Sequence, residues 1–525
     1  MMAIPKLVHE YLTLSAERYP HKEALICGDR RLTYADIDRH SDQLADYLIR
    51  KGLEKQDRVV VFLDNSIESV ISLYGILKAG GIFVILNGTL KAKKLSYIIN
   101  DAGPKFLITH VSKFKVVHEV FHDRESHHSL IWVGDSSRID KSLSSISEDW
   151  ESIFQTRLHD TAVRKPELGE TDLAGLIYTS GSTGEPKGVM SAHSNIVAAA
   201  RSIIQYLDNR EDDIILDVLP LSFDYGLYQV IMAFIFGGTV VLEKSFLYPV
   251  KILEAIEGEE VTGFPIVPTI AALLLNMQNL NRYTMQSLRY ITNTAASLPA
   301  KHIQKLRETL PHAQLYSMYG LTECKRVSYL PPDELDKRPS SVGKAIPNCE
   351  TFIVDDRGNK VGPGEEGELV IKGPNVMRGY WNDPELTAAT FRSDNSSEET
   401  LLYSGDIFTC DEDGFLYFVR RKDDLIKTKG ERVSPKEIET ILCDMEGVAE
   451  AAVIGVPDDI LGQAVKAFIV SSRDSSLTEK KVLRYCTNNL ETFMIPKYVR
   501  FVETLPKTPN GKIDRKALEK DTSNG

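Results

Sequence analysis

Tyr178-Thr-Ser-Gly-Ser-Thr-Gly-Glu-Pro-Lys-Gly188 follows an apolar run, Leu173 to Ile177, that reads as a buried strand. These eleven residues hold three glycines, four Ser/Thr hydroxyls and one lysine. Glycines let a backbone turn tightly and bring its N–H groups to an anion. Hydroxyls add donors, and Lys187 adds a mobile positive charge. The stretch therefore reads as a loop that holds a polyphosphate. It is not a G-x-x-x-x-G-K-[ST] loop, because Glu185-Pro186 precede Lys187-Gly188, and no G-x-G-x-x-G opens a helix here. A Ser/Gly-rich surface turn is the plainer alternative. The alternation of hydroxyls with glycines, and the lysine that follows, weigh against it.

Further stretches stand downstream in a fixed order. They are Tyr319-Gly-Leu-Thr-Glu323, Ser404-Gly-Asp406 with Asp413-Gly414, Arg421-Lys-Asp-Asp424 with Ile426-Lys427, Gly430 to Glu437, and Pro509-Asn-Gly-Lys512. With the first loop they make the chain resemble the adenylate-forming (ANL) superfamily. That group contains acyl-CoA synthetases, adenylation domains of nonribosomal peptide synthetases, and luciferases. The likeness covers essentially the whole chain and is nearest to stand-alone amino-acid ligases of the proline-activating kind.

The resemblance and the residue pattern imply one α/β architecture. Residues 20 to 330 alternate strand and helix patterns. Leu32-Thr-Tyr-Ala-Asp36 opens a threonine-capped helix, and Val59–Leu63 and Ile82–Leu86 read as strands around a helix at Glu68–Ala79. This is β-α-β logic and predicts parallel sheets. Short strands between turn signals at 340–420 predict a small β-barrel unit, and Asp135 to Asp149 reads as an exposed loop. The expected domains are 1–421, a large N-terminal lobe of two parallel-rich sheets plus the barrel, and 422–525, a small mobile α+β lobe. Asp423 stands where relatives place the hinge.

Composition narrows the partners. Across 525 residues the formal charge is −12, which argues against nucleic acid or an anionic membrane as partner. Six cysteines without a C-x-x-C pair fit reduced thiols and a cytoplasmic setting. Met1 to Ala16 lacks the layout of a signal peptide. The longest apolar run, Tyr228 to Leu242, is broken by Gly237-Gly238 and falls short of the roughly 20 residues that span a bilayer.

The resemblance also implies a chemistry. ATP and Mg²⁺ are the expected cofactors, and a carboxylate attacks the α-phosphorus of ATP and expels pyrophosphate. Two anions must meet, so the protein must cancel charge and fix geometry. Lys512, Thr322 and Lys187 are the expected catalytic residues. Thr179, Ser180, Gly181, Ser182, Thr183 and Gly184 would hold the β- and γ-phosphates, with Ser317 and Tyr319 near adenine. Asp406 would take both ribose hydroxyls, Arg421 would add a contact, and Glu323 would hold Mg²⁺. In relatives the lobe carrying Lys512 then rotates and presents Lys427 to Val433 for thiol attack.

Leu219-Pro-Leu-Ser-Phe-Asp-Tyr-Gly226 bears on the acid. Amino-acid adenylation domains share its Phe223-Asp224 pair, and there the aspartate binds the α-ammonium. A buried carboxylate needs such a partner. Phe223, Asp224, Tyr228, Asn293 and Met318 are the expected substrate contacts, L-proline the leading substrate, and Arg326 is expected to point away. Thr294-Ala-Ala296 departs from the glycine-rich segment of many relatives. No carrier domain follows Lys512, so the acyl group is expected to leave on the phosphopantetheine of a separate carrier protein or on coenzyme A. The competing reading is a carboxylic-acid–CoA ligase for a non-amino acid.

Overall fold

Capped helices and apolar strands alternate through the first 330 residues. The Thr33 side chain accepts the Asp36 N–H and opens the Tyr34–Arg50 helix, while the Asp36 carboxylate accepts the Thr33 N–H. Strand Arg58–Phe62, helix Ile67–Lys78 and strand Ile82–Ile85 then form a parallel β-α-β unit with Val60 opposite Val84. That helix is buried along its whole length, which explains its largely apolar sequence. This computed structural model describes residues 5–122, 128–155, 163–180, 185–275, 277–294, 298, 300–394, 399–421, 426–472, 477–506, 513 and 515–520.

Two large, mostly parallel sheets form the bulk, one of nine strands and one of seven. A single apolar core joins them, with Val61 and Phe83 from the smaller sheet and Leu216 and Val240 from the larger. Segment 135–149 is more ordered than its composition predicts. Its end, Ser147–Asp149, pairs in parallel with Ser129–Val133. Leu143 is buried, and the Trp132 indole donates to Ser147 Oγ at 2.9 Å, so two small anchors override a polar sequence.

Beyond 345 the pairing becomes antiparallel. Glu350–Val354, Gly367–Lys372, Phe391–Ser393, Thr400–Cys410 and Leu416–Arg421 form a five-stranded sheet. Its described pairings are all antiparallel, as short strands between turn signals lead one to expect. The last five strands, from Ile426–Thr428 to Tyr498–Phe501, make a separate sheet flanked by helices Pro435–Cys443 and Glu479–Asn489. Among the described residues no helix is long and apolar enough to cross a membrane.

Candidate active site

Strands Leu173–Ser180 and Pro186–Ala192 pair antiparallel, with Thr179 opposite Lys187 and Ser180 opposite Pro186. The strands on either side of the glycine-rich stretch are therefore paired with each other. Gly181, Ser182, Thr183 and Gly184 lie outside the described residues, as does the side chain of Ser180. The stem is clamped from outside: Trp381 N–H donates to Gly188 O at 2.8 Å and Met190 N–H to Gly379 O at 2.9 Å. Lys187 Nζ lies 5.8 Å from the Tyr380 ring centroid. Thr179 lines a cavity between the large sheets, together with Thr322, Phe223 and Asp224.

The second stretch, Tyr319 to Arg326, is a loop closed on itself. Val327 N–H returns to Tyr319 O at 2.9 Å. A Cβ at Gly320 would come within 2.2 Å of Lys325 O, so only glycine fits there. Lys325 takes a left-handed φ of 65°, a strained setting for a lysine. Asn375 steadies it by donating to Cys324 O at 3.0 Å and to Arg326 O at 2.9 Å.

This loop sets out the metal and nucleotide candidates. Tyr380 Oη donates to Glu323 Oε1 at 2.8 Å, while Glu323 Oε2 is buried without a hydrogen-bond partner. An orphaned buried carboxylate oxygen fits a hard divalent cation. Among the described residues no cluster of three or more His, Cys, Asp or Glu assembles, so the remaining ligands would be phosphate and water oxygens. Asp406 is buried, and its Oδ2 accepts the Tyr319 hydroxyl at 2.5 Å. Tyr319 itself packs edge-on to Phe408 at 4.9 Å. Ser317 is buried within the Gln314–Tyr319 strand and does not line the cavity. Lys512 and Asp423, and the side chain of Arg421, lie outside the described residues.

The acyl wall differs most from expectation. Asp224 starts the Asp224–Phe236 helix and faces the cavity, where the positive helix end favours a carboxylate. It already has a cationic neighbour. Lys325 Nζ sits 3.6 Å from Asp224 Oδ2 and donates to the Asp224 main-chain oxygen at 2.8 Å. Burial drives the Lys325 ammonium down to about 7, partly offset by Asp224 and reinforced by Arg326. Arg326 lines the cavity instead of pointing away, and its Nη1 donates to Thr294 Oγ1 at 2.7 Å. Tyr228, Asn293 and Met318 do not line the cavity. Lys325 lies 4.6 Å from the Tyr228 ring centroid and covers it, and Met318 Sδ is taken by the Tyr206 hydroxyl at 3.0 Å. Sequence reasoning gave Lys325 no role, because nothing local sets it apart from other surface-type lysines.

The C-terminal sheet closes the cavity. Strands Ile426–Thr428 and Glu431–Val433 form a hairpin whose two turn residues, Lys429 and Gly430, have φ of 54° and 83°. Two positive φ values mark the tight turn whose twist suits a hairpin. Gly430, Glu431 and Arg432 line the cavity, as do Glu491 and Phe493. Burial raises the Glu431 carboxyl to about 7. Lys94, from the Ala92–Ala102 helix, holds this lobe by ion pairs to Glu437 at 3.1 Å and to Glu491 at 3.0 Å.

Comparison with known proteins agrees with this layout. Residues 12–381 match the family described as AMP-binding enzyme, and residues 437–512 match the AMP-binding enzyme C-terminal domain. A long-chain-fatty-acid–CoA ligase of Bacillus subtilis is 33% identical over 99% of this chain and 95% of its own length. Tyrocidine synthase 1 of Brevibacillus parabrevis is 31% identical over 98% of this chain and 45% of its own length. A double mutant of o-succinylbenzoate CoA synthetase from Bacillus subtilis, solved with a product analogue, superposes with a TM-score of 0.82. It is 29% identical, covering 97% of this chain and 98% of that one.

Proposed function

Since the chain belongs to the AMP-binding enzyme family, we propose that its acid substrate is an amino acid, adenylated and then passed to the phosphopantetheine of a separate carrier protein. The coarser activity follows from the family: an AMP-forming acid–thiol ligase that uses ATP with Mg²⁺. The observation that carries the finer reading is Asp224. Its carboxylate faces the cavity at the head of a helix, with one ammonium at 3.6 Å and room to accept a second. L-Proline satisfies Asp224 through its ring ammonium but offers Arg326 only methylenes.

In this reading Thr179, Lys187 and Thr322 hold the phosphates, Asp406 takes the ribose, and Glu323 keeps its orphaned oxygen for the metal. Mg²⁺ there would neutralise charge on the phosphates and on the leaving pyrophosphate. We place the lobe boundary at 421/422, which is supported by the separate sheet and apolar clusters beyond it. The Gly430–Arg432 turn faces the cavity, and this supports thiol attack from that side, with Lys512 serving the adenylation step. Replacing Lys512 with alanine should slow adenylation about 10²–10³-fold. It should spare thioester formation from preformed acyl-AMP, and equal losses would remove Lys512 from that role. Glu323→Gln should abolish Mg²⁺-dependent pyrophosphate exchange. Wild-type rate and metal dependence in that variant would reassign the ligand.

The alternative, a CoA ligase for a non-amino acid, draws support from the Bacillus fatty-acid ligase and from Lys325, which gives Asp224 a partner without substrate. Pyrophosphate exchange with proline against cyclopentanecarboxylate, and with the other amino acids against their deaminated forms, separates the two. Preference for the deaminated acids would establish the alternative.

A further inference from the structure

Asp224, Lys325 and Arg326 share one buried wall of the cavity, and the guanidinium has no carboxylate against it. Lys325 and Arg326 are almost fully buried. Asp224 lies beside Lys325, and no described carboxylate lies within 4.0 Å of the Arg326 guanidinium. Arg326 bonds to the Thr294 hydroxyl and lies 5.5 Å from the Tyr225 ring centroid, yet its Nε is buried without a hydrogen-bond partner. Asp217 does not fill the gap. It is fully buried, its Oδ1 accepts the Leu219 N–H at 3.0 Å, and burial holds its carboxyl well above the usual range. The wall thus presents a buried guanidinium with no carboxylate against it, beside the Asp224–Lys325 pair.

A buried, unpaired guanidinium is strongly unfavourable, and one that is retained normally has a counter-charge. Its planar fork suits a carboxylate better than any other common anion. We infer that Lys325 and Arg326 receive a second carboxylate of the substrate, so that the acid activated here is an acidic amino acid. Resting on the amino-acid reading above, this assigns three groups to three partners. One carboxylate goes to ATP at the Thr322 end, the ammonium goes to Asp224, and the other carboxylate goes to Lys325 and Arg326. Thr294 orients the guanidinium through its hydroxyl. A fatty acid, or proline, would bury this cationic pair against hydrocarbon.

The test is ATP–pyrophosphate exchange with the full-length enzyme. The panel is aspartate, glutamate and 3-aminopentanedioate, the amides asparagine and glutamine, and the amine-free diacids succinate and glutarate. An acidic amino acid is expected to exceed its amide at least 100-fold in kcat/KM. Arg326→Met should erase most of that preference, and Arg326→Lys should restore part of it. Thr294→Val, which leaves the cation in place, should lower the preference chiefly through KM; it serves as the check if Arg326→Met does not fold. Equal use of acid and amide overturns the inference, as does exchange with monocarboxylic acids alone. A uniform loss across all acids in Arg326→Met would reduce Arg326 to a structural role and also overturn it. Diacids used as well as, or better than, acidic amino acids would keep the second-carboxylate site and discard the amino-acid reading.

Discussion

Two buried charge clusters border the same cavity with opposite imbalances. On the acyl wall, Lys325 and Arg326 outnumber Asp224. Across the lobe junction, Glu437 and Glu491 outnumber Lys94. Both bring charges together from distant sequence, yet they answer to different ligands. The first is built within one lobe and faces the cavity, where a bound molecule can reach it. The second joins two lobes, and a proton can balance it: burial raises the Glu437 carboxyl to about 7, with Lys94 opposing and Glu491 adding to the rise. We propose that the first serves a substrate and the second acts as a latch between the lobes.

Asp224 offers the sharpest way to break this comparison. Asp224→Ala leaves the substrate ammonium without its anion. The loss should reach about 2–5 kcal/mol, as for other desolvated charge pairs cut on one side. Amino-acid-dependent pyrophosphate exchange should collapse accordingly, while an isosteric acid without the amine suffers less. Glu437→Gln should leave exchange near wild type. If both variants lose exchange equally, the two clusters do not have separate duties.

Lys94→Met probes the latch directly and should have a smaller effect. It leaves Glu437 and Glu491 facing each other without their shared cation. The lobe arrangement with Gly430–Arg432 at the cavity should become less populated. Thioester formation should fall roughly tenfold, the effect of about 1.4 kcal/mol, while adenylation is spared. Single-turnover assays of the two half-reactions check this, and a loss confined to adenylation would contradict it.

How much of this could be read beforehand depends on whether a residue acts locally. The Thr33 cap and the β-α-β units were legible because capping chemistry and periodicity are local properties. Asp224 was legible as a cavity residue, but its neighbour Lys325 lies 101 positions away and acts through a left-handed backbone that no propensity predicts. Two features that looked like separate oddities, Thr294 and Arg326, prove to be one contact of 2.7 Å. Tyr380 and Asn375, which hold Glu323 and the loop backbone, carried no recognisable pattern, because their value lies in hydrogen bonds across 49 to 57 residues. The lobe latch was invisible for the same reason: Lys94 reaches partners more than 300 positions away.

The last prediction concerns pH dependence, and its sign follows from linkage. In the arrangement seen here Glu437 and Glu431 each titrate at about 7, against an ordinary glutamate value of 4.5, with burial as the first cause in both. Glu437 faces Lys94, Glu491 and Glu185; Glu431 faces Lys94, Asp224 and Glu491. This arrangement therefore binds protons more tightly than one that exposes the two carboxyls. Its advantage is full at low pH, declines as pH rises from about 4.5 to about 7, and is constant above that. The ratio of thioester formation to adenylation should fall across that window and level off beyond it. Glu437→Gln, neutral at every pH, should flatten much of the fall and Glu431→Gln a further part, whereas Arg326→Lys should leave the slope unchanged. A ratio that rises with pH, or a slope carried by the acyl wall, would mean that the latch is not the proton-balanced member of the pair.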